Sequence, residues 1–532
     1  MALAAYDLQQ EATQLDWVIK VTGKMGSEVE FKLSIKPQDA SLVGLHPTVV
    51  AASVNKPIAR EILTIYYDTT DLRLLDAGIS LRLRRVSDRW IQSVKAVATA
   101  RVGLHERMEW ESVVPSCHPD FTVILDPILI QLFADSKLRD SLKPIFQTKV
   151  ERHEWQLNFG GGDRVELALD VGQLLVGKKH EPISEIELEL KGGKKGRLFD
   201  LALELQKVIP LKLENASKAQ NGYAFYRARP LSIFKPSQLK LKRSASASSA
   251  FKEIVWDCID HLQKNQDMVL YGTDLEGLHQ MRVALHRLRS AFSLFRKILG
   301  DESADVLISE LRWLNEALGE ARDLDVFVTQ TTPTIIKQFK NHAGLLKLEQ
   351  KALLAKAEAY KGLRSTLLSQ RYQVFLLTLA AWLENERWCG TVDNSKEVKV
   401  FDMANAMLNK RYKQLRQRGK GVTLMHTEER HVTRISAKKL RYAAEFFATL
   451  YSSKKSTAFI RSLSQLQDCL GVLNDMTVTE KLVQKLKGTR PDRKIDEAMY
   501  IIAGWNACDV TNSLKYLEEL WHVFTCKNKF WS

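Results

Sequence analysis

Residues 28–36, EVEFKLSIK, alternate charged with apolar side chains, and the same alternation returns at 79–86 (ISLRLRRV), 104–113 and 183–190 (ISEIELEL). In an extended chain residues two apart point to one side. Glu28, Glu30 and Lys32 therefore share a face, as do Glu185, Glu187 and Glu189, Arg82 and Arg84, and Arg107, Glu109 and Glu111. The opposite faces are oily: Val29, Phe31 and Leu33; Ile186, Leu188 and Leu190; Leu81 and Leu83. One such strand suits a sheet with a wet face. Several suit a closed barrel whose apolar side packs outward on helices. The charges then point inward, where they must pair, bind metal or hold an ionic ligand to offset desolvation. Carboxylates gathered from two strands are hard oxygen donors suited to Mg²⁺ or Mn²⁺, and arginine and lysine around them clamp phosphate oxygens. Metal plus cationic clamp is what attack at phosphorus requires, because charge develops there in the transition state.

The elements that must position these groups are strands at 28–36, 62–67, 79–86, 90–95, 104–113, 150–159, 164–170 and 183–190, with short helices at 38–52, 126–140 and 195–208. Gly160-Gly161-Gly162-Asp163 reads as a hairpin turn. Around residues 231–250 the text becomes serine-rich (RSASASSA), which suits a flexible linker. Beyond it apolar residues recur at spacings of three and four almost to the end, the pattern of helices.

That second part contains a repeat, visible when the chain is slid against itself by 152 positions. His279, Arg282, Val283, Leu288 and Arg289 fall on His431, Arg434, Ile435, Leu440 and Arg441, and LNEALGEARDLDV (314–326) falls on LQDCLGVLNDMTV (466–478). Two copies of one helical unit follow. His279, Arg282, His286 and Arg289 share a helix face, and His431, Arg434, Lys438 and Arg441 repeat it. A basic stripe is ordinarily a solvated face, but two matching stripes with histidine point to an anion site. Asp323 and Asp325 read as helix-end or bundle ion-pair residues, and metal binding by His279 and His431 lacks a carboxylate at ligand spacing.

The 532 residues are too many for one core, so two or three domains are expected. Lys and Arg number 31 against 30 Asp and Glu up to residue 230, and 47 against 33 beyond it, so the net charge of +15 belongs almost wholly to the second part. Such a field favours polyanionic partners. Neither a nucleic-acid motif nor aromatic residues interleave the stripe, so nucleic acid is not expected. Cysteines 117, 258, 389, 469, 508 and 526 are scattered without CxxC or CxxH pairing, which suits a reducing cytoplasm. The longest apolar run, VFLLTLAAWL at 374–383, is too short to span a bilayer and reads as a core helix; no membrane association or signal segment is expected.

The motifs resemble two known families in succession. EVEFK (28–32), YYDT (66–69), SLRLR (80–84), SVKA with Lys95, GLHERMEW (103–110), VERHEW (150–155), LALD (167–170), EIELEL and SKAQNGY (217–223) follow the order of the CYTH superfamily, the triphosphate tunnel metalloenzymes, nearest the bacterial inorganic triphosphatases. HxxRVxxHRLR and HxxRIxxKKLR in the repeat resemble the CHAD domain. The resemblance implies an α+β chain: an extension at 1–27, an antiparallel β-barrel tunnel with flanking helices at 28–228, a linker at 229–250, and an all-α domain of two repeated helical bundles at 251–523. It implies that Glu28, Glu30, Glu187 and Glu189 hold Mg²⁺ or Mn²⁺ with Glu185 and Asp170 nearby. Arg82, Arg84, Lys95, Arg107 and Arg152 would grip the phosphates, Lys218 would close one end, and Lys32 with Glu30 and Glu187 would act in catalysis. The expected activity is hydrolysis of inorganic tripolyphosphate to pyrophosphate and phosphate. Inorganic polyphosphate would bind the stripes His279, Arg282, His286, Arg289 and His431, Arg434, Lys438, Arg441. The rivals are a polyphosphate-binding protein with little turnover, or a nucleoside or thiamine triphosphatase or cyclase. The 27 residues before the EVEFK strand depart from the family pattern, and Trp17-Val18-Ile19 could dock on the surface.

Overall fold

A computed structural model describes residues 27–96, 100–228, 230–299, 301–340, 342–388, 398–489 and 491–531. Trp17-Val18-Ile19 lies outside them. The chain divides in sequence at Pro230 into two compact units, the first of which also includes Gln373–Asn385.

Ten antiparallel strands build the first unit: β1 Ser27–Ile35, β2 Ile58–Asp68, β3 Ile79–Val86, β4 Arg89–Ala96, β5 Ala100–Arg101, β6 Leu104–Val114, β7 Lys143–Asn158, β8 Arg164–Val176, β9 Lys179–Gly192 and β10 Leu211–Leu213. β1 pairs with both β9 and β6, so the order β1-β9-β8-β7-β2-β3-β4-β6 closes on itself as an eight-stranded barrel. Closure leaves those strands no free edge. The outward side is the oily face read from the sequence. Phe31, Leu81, Leu83, Ile186 and Leu188 are all fully buried. Phe31 meets Phe199 of the helix Gly196–Gln206 edge-on at 5.0 Å. Leu81, Leu83 and Val94 pack with Leu129, Phe133 and Leu138 from helices Pro127–Phe133 and Ser136–Ser141. Asp126 starts the first of these by accepting hydrogen bonds from the backbone N–H of Ile128 and Leu129.

Several strands run longer than their alternation suggested, β2 among them, which begins at Ile58 rather than 62. β7 begins at Lys143 rather than 150, and β8 and β9 continue past 170 and before 183 to a turn at Gly177. Gly172 and Pro182 interrupt the pattern there, yet cross-strand pairing holds from Arg164↔Gly192 to Val176↔Lys179. The three-glycine turn does join β7 to β8, with all three glycines at positive φ.

The SKAQNGY text is a helix, Lys218–Tyr226, started by a capping box between Ser217 and Gln220. Its Gly222 lies against Phe146 of β7 so closely that an added Cβ would sit 2.0 Å from the ring. Alanine there gains about 0.5–1 kcal/mol of helix propensity, while overpacking costs about 1–3 kcal/mol. Gly222→Ala should therefore lower the urea midpoint of the first unit. A raised midpoint would show that Phe146 yields and that the packing is loose.

In the second unit the helices repeat at the offset of the sequence. Ala247–Lys264 answers to Val400–Arg418, Glu276–Phe295 to Thr427–Phe447, Asp301–Val326 to Ser453–Lys487, and Ala343–Leu368 to Arg493–Cys526. The serine-rich stretch differs from the flexible linker expected. Ser246 caps the helix from Ala247, the Arg243 guanidinium donates to the Leu450 carbonyl at 2.7 Å, and Ala245 and Ala247 exchange backbone hydrogen bonds with Val400 and Val398 at 2.9 Å. Low apolar content did not prevent order, because serine serves as a cap and the backbone finds partners. The apolar run lies in helix Gln370–Glu384 and is buried, with Leu379 and Leu383 fully so. Among the described residues no helix is long and apolar enough to cross a membrane.

Candidate functional site

Inside the barrel a cavity of about 290 Å³ is lined mainly by charged residues. The register makes direct cross-strand neighbours of Lys32 and Glu187, Glu28 and Arg107, Lys95 and Glu109, and Arg152 and Asp170. Lys32 is 2% exposed and bonds Glu187, Glu30 at 3.2 Å and Glu185 at 3.5 Å. Arg152 donates to both oxygens of Asp170 at 2.7 Å and to Glu187 at 2.5 Å. Lys218, brought in by its helix, reaches Asp170 at 2.6 Å and Glu187 at 2.9 Å, and also bonds Glu185. Arg107 bonds Glu28 at 2.8 Å and Glu30 at 2.7 Å, Lys95 bonds Glu28 at 2.9 Å and Glu109 at 2.8 Å, and Arg82 bonds Glu109 at 3.1 Å. Arg84 is different. No ion pair satisfies it among the described residues, and its buried Nε, like that of Arg82, has no partner.

Burying this many charges is tolerable only because they compensate each other. Burial opposes the Lys32 ammonium, but Glu187, Glu30 and Glu185 outweigh it and hold its pKa above the usual lysine range. Burial likewise opposes the charge on Glu187, and Lys218, Lys32 and Arg152 hold it well below the carboxylate range. Burial pushes Arg84 down, with Arg82 and Arg152 adding to it, and pushes Lys95 down to about 8, with Arg82 and Arg107 adding to it, so an anion would relieve both. Burial pushes Glu189 up, and Glu28 and Glu166 beside it add to the effect against its one cation, Lys191, at 2.7 Å. His105 falls to about 4 through burial and Lys32, so it stays neutral beside the Glu214 carbonyl at 3.2 Å.

The donors fit a divalent hard cation. Asp170, Glu185 and Glu187 each offer an oxygen within 4.8 Å of the others, and the crowding of Glu189 by Glu28 and Glu166 marks negative charge in want of a cation. Oxygen-only donors suit Mg²⁺ or Mn²⁺ better than softer metals. A metal-bound oligophosphate brings both signs at once. It can take carboxylates with its metal and arginines with its phosphates, leaving no buried charge unpaired.

The tunnel residues expected from the sequence are brought together, with Asp170 and Glu185 outside the cavity lining and joined to it through Lys32, Arg152 and Lys218. The cavity is also lined by Arg60, Glu154, Glu166 and Lys191, none of them among the residues expected there. Glu166 lies four residues from Asp170 on one strand and so shares its face, a signal that parity alone carried. Arg60 precedes the start that alternation assigns to β2.

In the second unit a groove of about 690 Å³ is lined by His286 and Arg289 from one copy and His431, Arg434 and Lys438 from the other. His279, Arg282 and Arg441 do not line it, contrary to the shared-stripe expectation. Arg282 turns to the Gly319 carbonyl at 3.0 Å and Asp323 at 3.3 Å, and Arg441 to Gln467 at 2.7 Å and Glu445 at 2.8 Å. Helical spacing defines a stripe wider than one groove, and these three lie on its shoulder. Lys439, Arg296 and Arg312 line the groove unforeseen; Arg312 comes from a helix outside the stripe. Burial, then Arg434, Arg282 and Arg441, bring Lys438 down to about 7 despite Asp475, and burial with Lys438, Arg282, Arg289 and Arg434 holds His286 well below its ordinary value. The Arg434 Nε is buried without a partner. Asp325 forms a bundle ion pair with Lys356 at 2.9 Å, as its position suggested.

Comparison with known proteins places a CYTH domain at residues 26–223 and a CHAD domain at 253–484. The inorganic triphosphatase of Haemophilus influenzae is 32% identical over 202 residues, covering 37% of this chain and 55% of the relative. An uncharacterized Mycobacterium tuberculosis protein is 27% identical over 244 residues, 44% of this chain and 46% of the relative. The chain thus matches about half the length of these curated relatives. The CHAD domain of the plant Ricinus communis is similar at 31% identity and TM-score 0.49, over 55% of this chain and 96% of that one.

Proposed function

We propose, for a chain that carries a CYTH domain followed by a CHAD domain, that its tunnel hydrolyses linear inorganic triphosphate and that its helical groove binds inorganic polyphosphate. The observation that carries the first half is the unpaired Arg84 in a closed tunnel where Lys32, Arg82, Lys95, Arg107, Arg152 and Lys218 are each held by carboxylates. An anion with several negative charges is what that arrangement lacks.

In this reading Arg82, Arg84, Lys95, Arg107 and Arg152 hold the phosphate oxygens, and Lys218 bounds the chain at the end set by its helix. Glu28, Glu30, Glu187 and Glu189 would hold the metal with Asp170 and Glu185 nearby, the last two also anchoring Arg152, Lys218 and Lys32. Mg²⁺ or Mn²⁺ supplies Lewis-acid charge at the phosphoryl oxygens when bound. Lys32, fixed as an ammonium, orients water toward the terminal phosphorus. The water oxygen bonds to that phosphorus as the bridging P–O bond breaks, and pyrophosphate leaves. The water's proton passes to a tunnel carboxylate. The groove holds a phosphate chain through Arg289, Arg434, Lys438 and Lys439, with His286 and His431 as donors.

Phosphate release from tripolyphosphate, ATP and long-chain polyphosphate, each with Mg²⁺, Mn²⁺ or chelator, tests the assignment. Metal-dependent release from tripolyphosphate well above ATP is expected. Release from ATP exceeding it would move the activity to nucleotides, and no release from any would reduce the tunnel to a binding site.

A further inference from the structure

The helical repeat offers two equivalent faces, related by exchanging its copies. We infer that only one of them is an anion site: the groove between helices Glu276–Phe295, Asp301–Val326 and Thr427–Phe447 takes the polyphosphate chain, and its twin is neutralised by the protein's own acids. This rests on the polyphosphate reading of the groove and specifies which half of the repeat does the binding.

The sequence offset of 152 maps each groove position onto its counterpart. Arg289 becomes Arg441, Ser293 becomes Glu445, Arg296 becomes Ala448 and Arg312 becomes Ser464. In the groove Arg289 and Arg312 have no carboxylate partner among the described residues, and the one acid in its lining, Asp305, is held by Arg296 at 3.0 Å. At the twin position Arg441 is closed off by Glu445, one turn along its own helix at 2.8 Å, and by Gln467 at 2.7 Å. Two cations are missing there outright.

The contrast extends to the neighbouring pair. Lys439 lines the groove, and its companion on helix Val400–Arg418 at the equivalent of Asp257 is the uncharged Asn409. Its counterpart Arg287 is 2% exposed and locked to Asp257 at 2.8 Å, over the ring of Phe446. Similarly Arg282 is engaged by Asp323 at 3.3 Å, whereas Arg434 keeps a buried Nε without a partner. Three pairs of equivalent cations therefore divide the same way. The member facing the groove makes no ion pair among the described residues, although Asp475, the counterpart of Asp323, lies near Arg434, and the other is bonded to its anion. A polyphosphate at the twin face would have to compete with Glu445, Asp257 and Asp323 for cations they already hold.

Arg289→Ser and Arg441→Ser remove the same side chain and charge from equivalent turns of the two copies, so the pair decides. Binding of size-fractionated inorganic polyphosphate to the full-length chain would be titrated across a salt series, with tripolyphosphate turnover as the check of folding. Arg289→Ser should weaken binding about tenfold and lower the slope of log K against log salt by roughly 0.7–1, the change expected when one phosphate fewer is neutralised. Arg441→Ser should leave affinity within about twofold and the slope unchanged. As a gain of function, Glu445→Gln with Ser464→Arg should tighten binding or add a second equivalent of polyphosphate. Equal weakening by the two serine variants overturns the one-sided site while keeping the polyphosphate reading. No binding by the unaltered chain sinks that reading and this proposal together.

Discussion

Glu187→Gln is expected to lower tripolyphosphate turnover by about a thousandfold while leaving the tunnel able to bind the anion. Among the described residues Glu187 is the one carboxylate that meets three cations, Lys32, Arg152 and Lys218 at 2.9 Å. It is also a cross-strand neighbour of Lys32. Replacing it with a neutral isostere removes a metal donor and loosens Lys32 from the geometry in which it orients water. The three cations keep Glu30, Glu185 and Asp170, so the fold should survive. Single-turnover phosphate release and calorimetric binding of tripolyphosphate separate the two effects. Turnover within tenfold of the unaltered protein would remove Glu187 from the catalytic set. If the variant unfolds instead, Glu30→Gln carries the same test through a residue bonded only to Lys32 and Arg107.

The second large effect belongs to the groove. Arg434→Glu with Lys438→Glu should abolish polyphosphate binding, a loss of at least about a hundredfold at moderate salt, and leave tripolyphosphate hydrolysis within about twofold. Both residues line the groove, and neither has an ion-pair partner among the described residues, so reversal breaks no ion pair there. Like charges opposed to a phosphate chain convert an attractive field into a repulsive one. Phosphate release and polyphosphate binding measured on the same preparation decide the point. Hydrolysis lost as completely as binding would show that the two units act as one device.

The inner and outer faces of the barrel were legible because strand parity is local: Val29, Phe31 and Leu33 must oppose Glu28, Glu30 and Lys32 whatever the rest of the chain does. Arg60 escaped because parity works only within a strand whose limits are known, and β2 starts before the expected 62–67, whereas Glu166 lay inside the expected strand 164–170, where its parity with Asp170 already placed it on the inner face. The docked serine-rich stretch was missed for a related reason. Its order comes from partners far along the chain, Val398 and Leu450, which no window of composition contains.

By itself the sequence determined which residues are charged, which face of each strand or helix they occupy, and that the helical unit occurs twice; these depend on the periods of 2 and 3.6 and on self-similarity. Only the tertiary structure decided that β1 closes on both β9 and β6, so that Lys32 meets Glu187 and Glu28 meets Arg107. It alone left Arg84 without a carboxylate, and it alone set Arg282 against Asp323 while leaving the Arg434 Nε without a partner. The physical reason is that the state of a buried charge is set by its nearest opposite charge. That neighbour is chosen by strand register and helix packing across tens to hundreds of residues, whereas periodicity reports only direction.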